Sequence, residues 1–120
     1  MITPHLSGVE VFVTRFYILV LGRSVDQGGL DYWSDQIISG TETPGEVAIG
    51  FFSSAEYVNL NHDNPTFVDT VYHAFFDRAA DQGGKDYWSA RLENSMTRIQ
   101  VVEGFIDSQE FQDLIVSFEI

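Results

Sequence analysis

The side chains best placed to do chemistry in this sequence lie in two nearly identical segments. Asp26-Gln27-Gly28-Gly29-Leu30-Asp31-Tyr32-Trp33-Ser34 returns 55 residues later (26 to 81) as Asp81-Gln82-Gly83-Gly84-Lys85-Asp86-Tyr87-Trp88-Ser89, with Leu30 against Lys85 the single difference. Three uses fit these residue types. Asp26 with Asp31, and Asp81 with Asp86, are hard oxygen donors around a glycine turn, the kind of ligand a calcium ion takes. The segment lacks the alternating ligands and closing Glu of an EF-hand and falls short of a Gly-Gly-x-Gly-x-Asp repeat, so no metal is expected there. Tyr32 beside Asp26, Gln27 and Asp31, and Tyr87 beside Asp81, Gln82 and Asp86, supply a ring face and hydrogen-bonding groups, which together suit a sugar. The third use is architectural. Asp26 and Asp81 can each cap a helix, and Arg23 and Arg78, three residues ahead of them, can close a charge-assisted corner. Trp33 and Trp88 are expected to be core anchors, since large aromatics usually go inside.

Catalytic arrangements are missing from the sequence. His5, His62 and His73 share no metal-binding spacing, and none recurs in the other segment. There is no Cys, no Gly-x-Ser-x-Gly and no phosphate loop. Eighteen acidic residues make chance carboxylate pairs common, and no spacing singles one out. Neither an enzyme nor a cofactor is expected. The net charge of −12 argues against nucleic acid and anionic lipid, because binding phosphate requires clustered Lys and Arg. No apolar run is long enough for a membrane span. The N-terminal stretch contains Glu10 and one basic residue, Arg15, and lacks the order of a secretory signal.

The elements that position the two segments follow from the duplication, which extends over most of the chain. Phe12-Val13 maps onto Phe67-Val68 and Arg23 onto Arg78. After a one-residue slip between 39 and 46, Gly50-Phe51 maps onto Gly104-Phe105 and Glu56-Tyr57 onto Glu110-Phe111. Phe67, Val68, Val71, Tyr72, Phe75 and Phe76 have helical spacing, which makes the first element of each repeat a helix. It is expected to end at Gly22 in the first repeat; in the second, Asp77 stands there and leaves the end unsettled. A second helix follows Asp26 or Asp81 and, in the first repeat, stops at Gly40. A third opens with capping boxes at Thr43-Pro44-Gly45-Glu46 and Thr97-Arg98-Ile99-Gln100. A short fourth starts at Ser53 or Ser54, with Ser53-x-x-Glu56 and Asp107-x-x-Glu110 read as further boxes. The fold predicted is all-α: eight helical segments in two four-helix units, 8–60 and 66–118, joined by a polar linker, 61–65, with Thr66 as the next cap. Units of this size are small to stand alone, so a shared core about a pseudo-two-fold is expected.

Phe-Val-x-x-Phe-Tyr-x-x-x-Leu-Gly-Arg-x-x-Asp-x-x-Gly-x-x-Tyr-Trp over 12–33, completed by Gly50-Phe51-Phe52-Ser53-Ser54-Ala55-Glu56-Tyr57, resembles the bacterial domain of unknown function 4214. Residues 67–111 resemble it again, departing at Asp77 where that family usually has Gly. The family is in turn similar to the helical linker domains of phycobilisomes. The resemblance implies a non-catalytic structural or adhesive module of a larger secreted or cell-surface bacterial protein. It would meet other domains of that protein, protein partners or surface glycan. Carbohydrate binding and calcium-dependent folding or assembly are the alternatives.

Overall fold

Side-chain caps set the helix starts, because a Ser, Thr or Asp oxygen accepts a hydrogen bond from an otherwise free N–H of the first turn. In the computed structural model, which describes residues 7–120, these caps define eight α-helices, with no strand among the described residues. Helix α1 (Gly8–Phe16) follows Ser7 and continues as a π-helical turn, Tyr17–Leu21, closed by Gly22 in the left-handed conformation. Helices α2 (Gln27–Ile38), α3 (Pro44–Ser53) and α4 (Ala55–Asn59) complete the first repeat behind Asp26, Thr43 and Ser54. The second repeat holds α5 (Asn64–Phe76), α6 (Gln82–Glu93), α7 (Arg98–Ile106) and α8 (Gln109–Ser117), behind Asp63, Asp81, Thr97 and Ser108.

Both Thr capping boxes form: Glu46 accepts from the Thr43 N–H at 2.9 Å and Gln100 from the Thr97 N–H at 2.8 Å. One expected cap and two expected capping boxes are corrected, and two open boundaries are resolved. Asp63, two residues inside the expected linker, caps α5 in place of Thr66, because its carboxylate accepts from the Thr66 N–H at 2.9 Å. Ser54 and Ser108 cap the fourth helices in place of Ser53 and Asp107, which leaves Glu56 and Glu110 free of the backbone. Asp77 adopts the left-handed conformation (φ 56°) and ends α5 where Gly22 ends the π-helical turn. Arg15 braces that end: it donates to the carbonyls of His73 and Ala74 at 3.1 and 3.3 Å and lies 3.3 Å from Asp77 Oδ1.

The two repeats share one core. Helix α3 packs on α7, and α1 with its π-helical turn packs through that turn on α5, while most of the remaining contacts occur in matching pairs such as α1 on α2 and α5 on α6; α2 packs on α3 more closely than α6 does on α7. Phe16 meets Phe75 edge-on at 6.0 Å, Phe12 meets Phe111 at 6.4 Å, and Phe52 meets Phe67 at 5.8 Å, all across the boundary between repeats. This is the economy expected of units too small to enclose a core singly. The segments flanking Trp33 and Trp88 differ in depth. Leu30, Ser34 and Ile37 of α2 are buried, whereas no residue of α6 is. Lys85, in the place of Leu30, turns instead to Asp69 of α5 at 2.8 Å, so an ion pair replaces an apolar contact at the equivalent point.

Candidate functional site

The duplicated segment sits at the corner where the first, second and fourth helices of each repeat converge. Asp26 Oδ1 accepts from the Gly29 N–H and Asp81 Oδ1 from the Gly84 N–H, each at 2.6 Å. The tyrosine hydroxyl of the first helix rests on the same turn: a Cβ at Gly29 would collide with Tyr17, and one at Gly84 with Tyr72. The neighbouring Gly28 and Gly83 have no such crowding. Only the second glycine of each pair is therefore required by a close approach.

An arginine closes each corner. Arg23 lies over the Tyr17 ring, 4.8 Å from its centroid, and Arg78 over Tyr72 at 5.3 Å. Their main partners are not the capping aspartates. Arg23 makes a two-pronged bond to Glu56, Nε to Oε2 at 2.5 Å and Nη2 to Oε1 at 3.0 Å, and Arg78 repeats it on Glu110 at 3.1 and 3.2 Å. Arg23 reaches Asp26 Oδ2 only at 3.4 Å, and Arg78 makes no hydrogen bond to Asp81. The expected Arg–Asp corner is thus an Arg–Glu corner. One oxygen of each Asp is already committed to the helix cap, while the Glu, displaced from the backbone by the Ser cap, offers both oxygens to the guanidinium fork. The recurrence of Glu56 and Glu110 one repeat apart carried this information, but a 33-residue separation gives no local reason to pair them with arginine. The bond from Arg23 holds the Glu56 carboxyl below its ordinary 4.5. Asp26 is held below its ordinary 3.8, first by the Gly29 N–H and then by Arg23. Burial, together with the Asp26 charge, pushes the Tyr17 phenol up.

The other residues of the segment do not converge. Gln27 donates to Asp31 at 2.8 Å and Gln82 to Asp86 at 2.9 Å, which directs those carboxylates along the helix surface. Among the described residues no group of three or more His, Asp or Glu side chains is arranged to hold a metal ion. Trp33 and Trp88 are half-buried and pack against the core at its edge, 5.1 Å from Phe51 and Phe105. Their neighbours Tyr32 and Tyr87 are 56% and 50% exposed. The arrangement defines a duplicated, all-helical module in which Arg, Glu, Asp, Gly and Tyr of each repeat form a structural joint. The family model described as Domain of unknown function (DUF4214) matches residues 7–61 and again 57–115, so the chain belongs to that family in two tandem copies. No curated protein and no solved structure gives a significant match.

Two outcomes follow from the joint. Gly84→Ala is expected to destabilise by about 1 to 3 kcal/mol through forced displacement of Tyr72, and the loss should shrink when Tyr72→Phe is added. Thermal unfolding of the four variants measures this, and equal losses in both backgrounds would show that the hydroxyl is not the obstacle. For Glu56 the folded value is depressed, so its contribution is present at neutral pH and is lost as pH falls through the folded value. Melting temperature should therefore fall less steeply between about pH 5 and 3 in Glu56→Gln than in the parent protein. Parallel slopes would remove Glu56 from the joint.

Proposed function

We propose that this protein is a non-catalytic interaction module of a larger secreted or cell-surface bacterial protein. One observation carries the reading: apart from the exposed Gln, Asp and Tyr of the second helix, the side chains that the two repeats share are engaged in helix caps, the Arg–Glu joint and the aromatic core, in the same way twice. The shared pattern therefore maintains a scaffold, and the repeats differ mainly on their surfaces. Among the described residues no helix is long and apolar enough to cross a membrane. Excising it in frame from the parent protein should leave any enzymatic activity of the rest intact and abolish attachment or assembly at the cell surface. Fractionation of the bacterium checks this, and a parent protein found only in the cytoplasm would overturn it.

Carbohydrate binding is the second reading, favoured by the exposure of both Tyr32 and Tyr87. Each ring meets its Trp neighbour edge-on at 5.0 Å, so tryptophan fluorescence should report a sugar settling there. Tyr32→Ala with Tyr87→Ala is expected to abolish binding to a surface-polysaccharide panel and to leave the melting temperature unchanged. Absence of binding by the parent protein would sink this reading.

A further inference from the structure

We propose that the corner between α6 and α7 recognises a carboxylate-bearing sugar, with Arg91 as the group that holds the carboxylate. The proposal rests on the carbohydrate reading above and narrows it to one corner and one ligand chemistry.

The argument begins with a cation that has no protein acceptor. The chain has six basic residues. Arg15, Arg23, Arg78 and Lys85 are paired with carboxylates, and Arg98 donates to the His62 carbonyl and to Asn64 Oδ1 at 2.7 and 3.0 Å. The Arg91 side chain has no hydrogen bond or ion pair among the described residues, in a protein of net charge −12. Its guanidinium lies instead over the Tyr87 ring, 4.4 Å from the centroid. The ring attracts the cation without using its N–H donors, which stay available to a planar acceptor.

Arg91 and Tyr87 line an open depression of about 620 Å³ together with Asn94, Met96 and Gln100. The first repeat has the same corner with the opposite charge. There Asp35, Gln36, Glu42 and Glu46 stand where the second repeat has Ala90, Arg91, Met96 and Gln100. Three carboxylates have become none, and a guanidinium has been added. The last exchange is the most telling. Glu46 and Gln100 make the same capping bond to the N-cap backbone, yet a carboxylate at a helix start also gains from the helix dipole. The second repeat keeps the cap and omits the charge, in an otherwise acidic chain. Glu93 is exposed and lies outside the lining.

With no carboxylate in the lining of the depression, its unpaired arginine is open to an external one, held by two parallel bonds. The remaining lining suits a saccharide. Asn94 uses its NH2 on the Ala90 carbonyl, and Gln100 uses its oxygen on the Thr97 N–H, so one free amide oxygen and one free NH2 group are left for hydroxyls. Met96 and the edge of Tyr87 offer apolar surface for a ring. The depression lies within the range of small-ligand sites.

The test titrates the full chain with oligomers of glucuronate and of galacturonate, and with the methyl esters of the same oligomers, which keep the sugar and remove the charge. At least one acidic oligomer should bind, its ester about tenfold more weakly or worse, as expected when a charge-assisted pair is lost. Arg91→Gln, which installs the residue of the first repeat at an exposed position, should lose a similar factor with an unchanged melting temperature. Acetate alone should not compete at equal concentration, since the sugar contacts are part of the site. Equal binding of acid and ester, an unaffected Arg91→Gln variant, full competition by acetate, or no binding of either acidic oligomer at millimolar concentration would each overturn the proposal. Binding of esters and acids alike would leave the broader carbohydrate reading standing.

Discussion

Where Tyr17 meets Gly29, and Tyr72 meets Gly84, the first helix of each repeat comes closer to the second than any side chain at the glycine would permit. That approach fixes the angle between the two helices and puts the tyrosine ring under the arginine that follows. The arginine then reaches the fourth helix through Glu56 or Glu110. Bonds of this kind between exposed side chains contribute little singly, but here they close a corner already set by packing. With three helices oriented, the phenylalanines of both repeats are directed to the same interior.

The extent to which the sequence foretold this arrangement depends on the range over which each feature is determined. Caps are local: an oxygen and an N–H three residues apart decide them, and the Asp26, Asp81, Thr43 and Thr97 starts formed as read. Where two candidate caps stood side by side, as with Ser53 and Ser54, composition alone did not choose, and the cap of α5 falls on Asp63, three residues before the expected Thr66. The partner of Arg23 lies 33 residues away, and the depth of Trp33 depends on how α2 lies over Phe51, so neither was determined locally. Asp77 shows the same limit from the other side. Its left-handed backbone is accepted because Arg15, from the other repeat, binds the end of that helix.

Duplication has separated two tasks that a single copy would have had to combine. To hold the fold, both repeats use the same cap, the same close approach and the same Arg–Glu bond. Elsewhere they have diverged, with buried Leu30 against Lys85 on one face of the second helix and carboxylates against Arg91 at its exposed end. A shared interior lets either surface change without threatening the fold, which is the property a binding module needs.

The core has its own form of divergence. Phe16 corresponds to Val71, and Val20 to Phe75; all four are buried, and the two rings touch across the boundary between repeats. Large and small have changed places, so side-chain volume is kept while its position moves by one helical turn. Copying a single residue from one repeat into the other would open a void or force a clash, whereas exchanging both together preserves the total. The halves have become fitted counterparts, and at these positions their sequences can drift only in step.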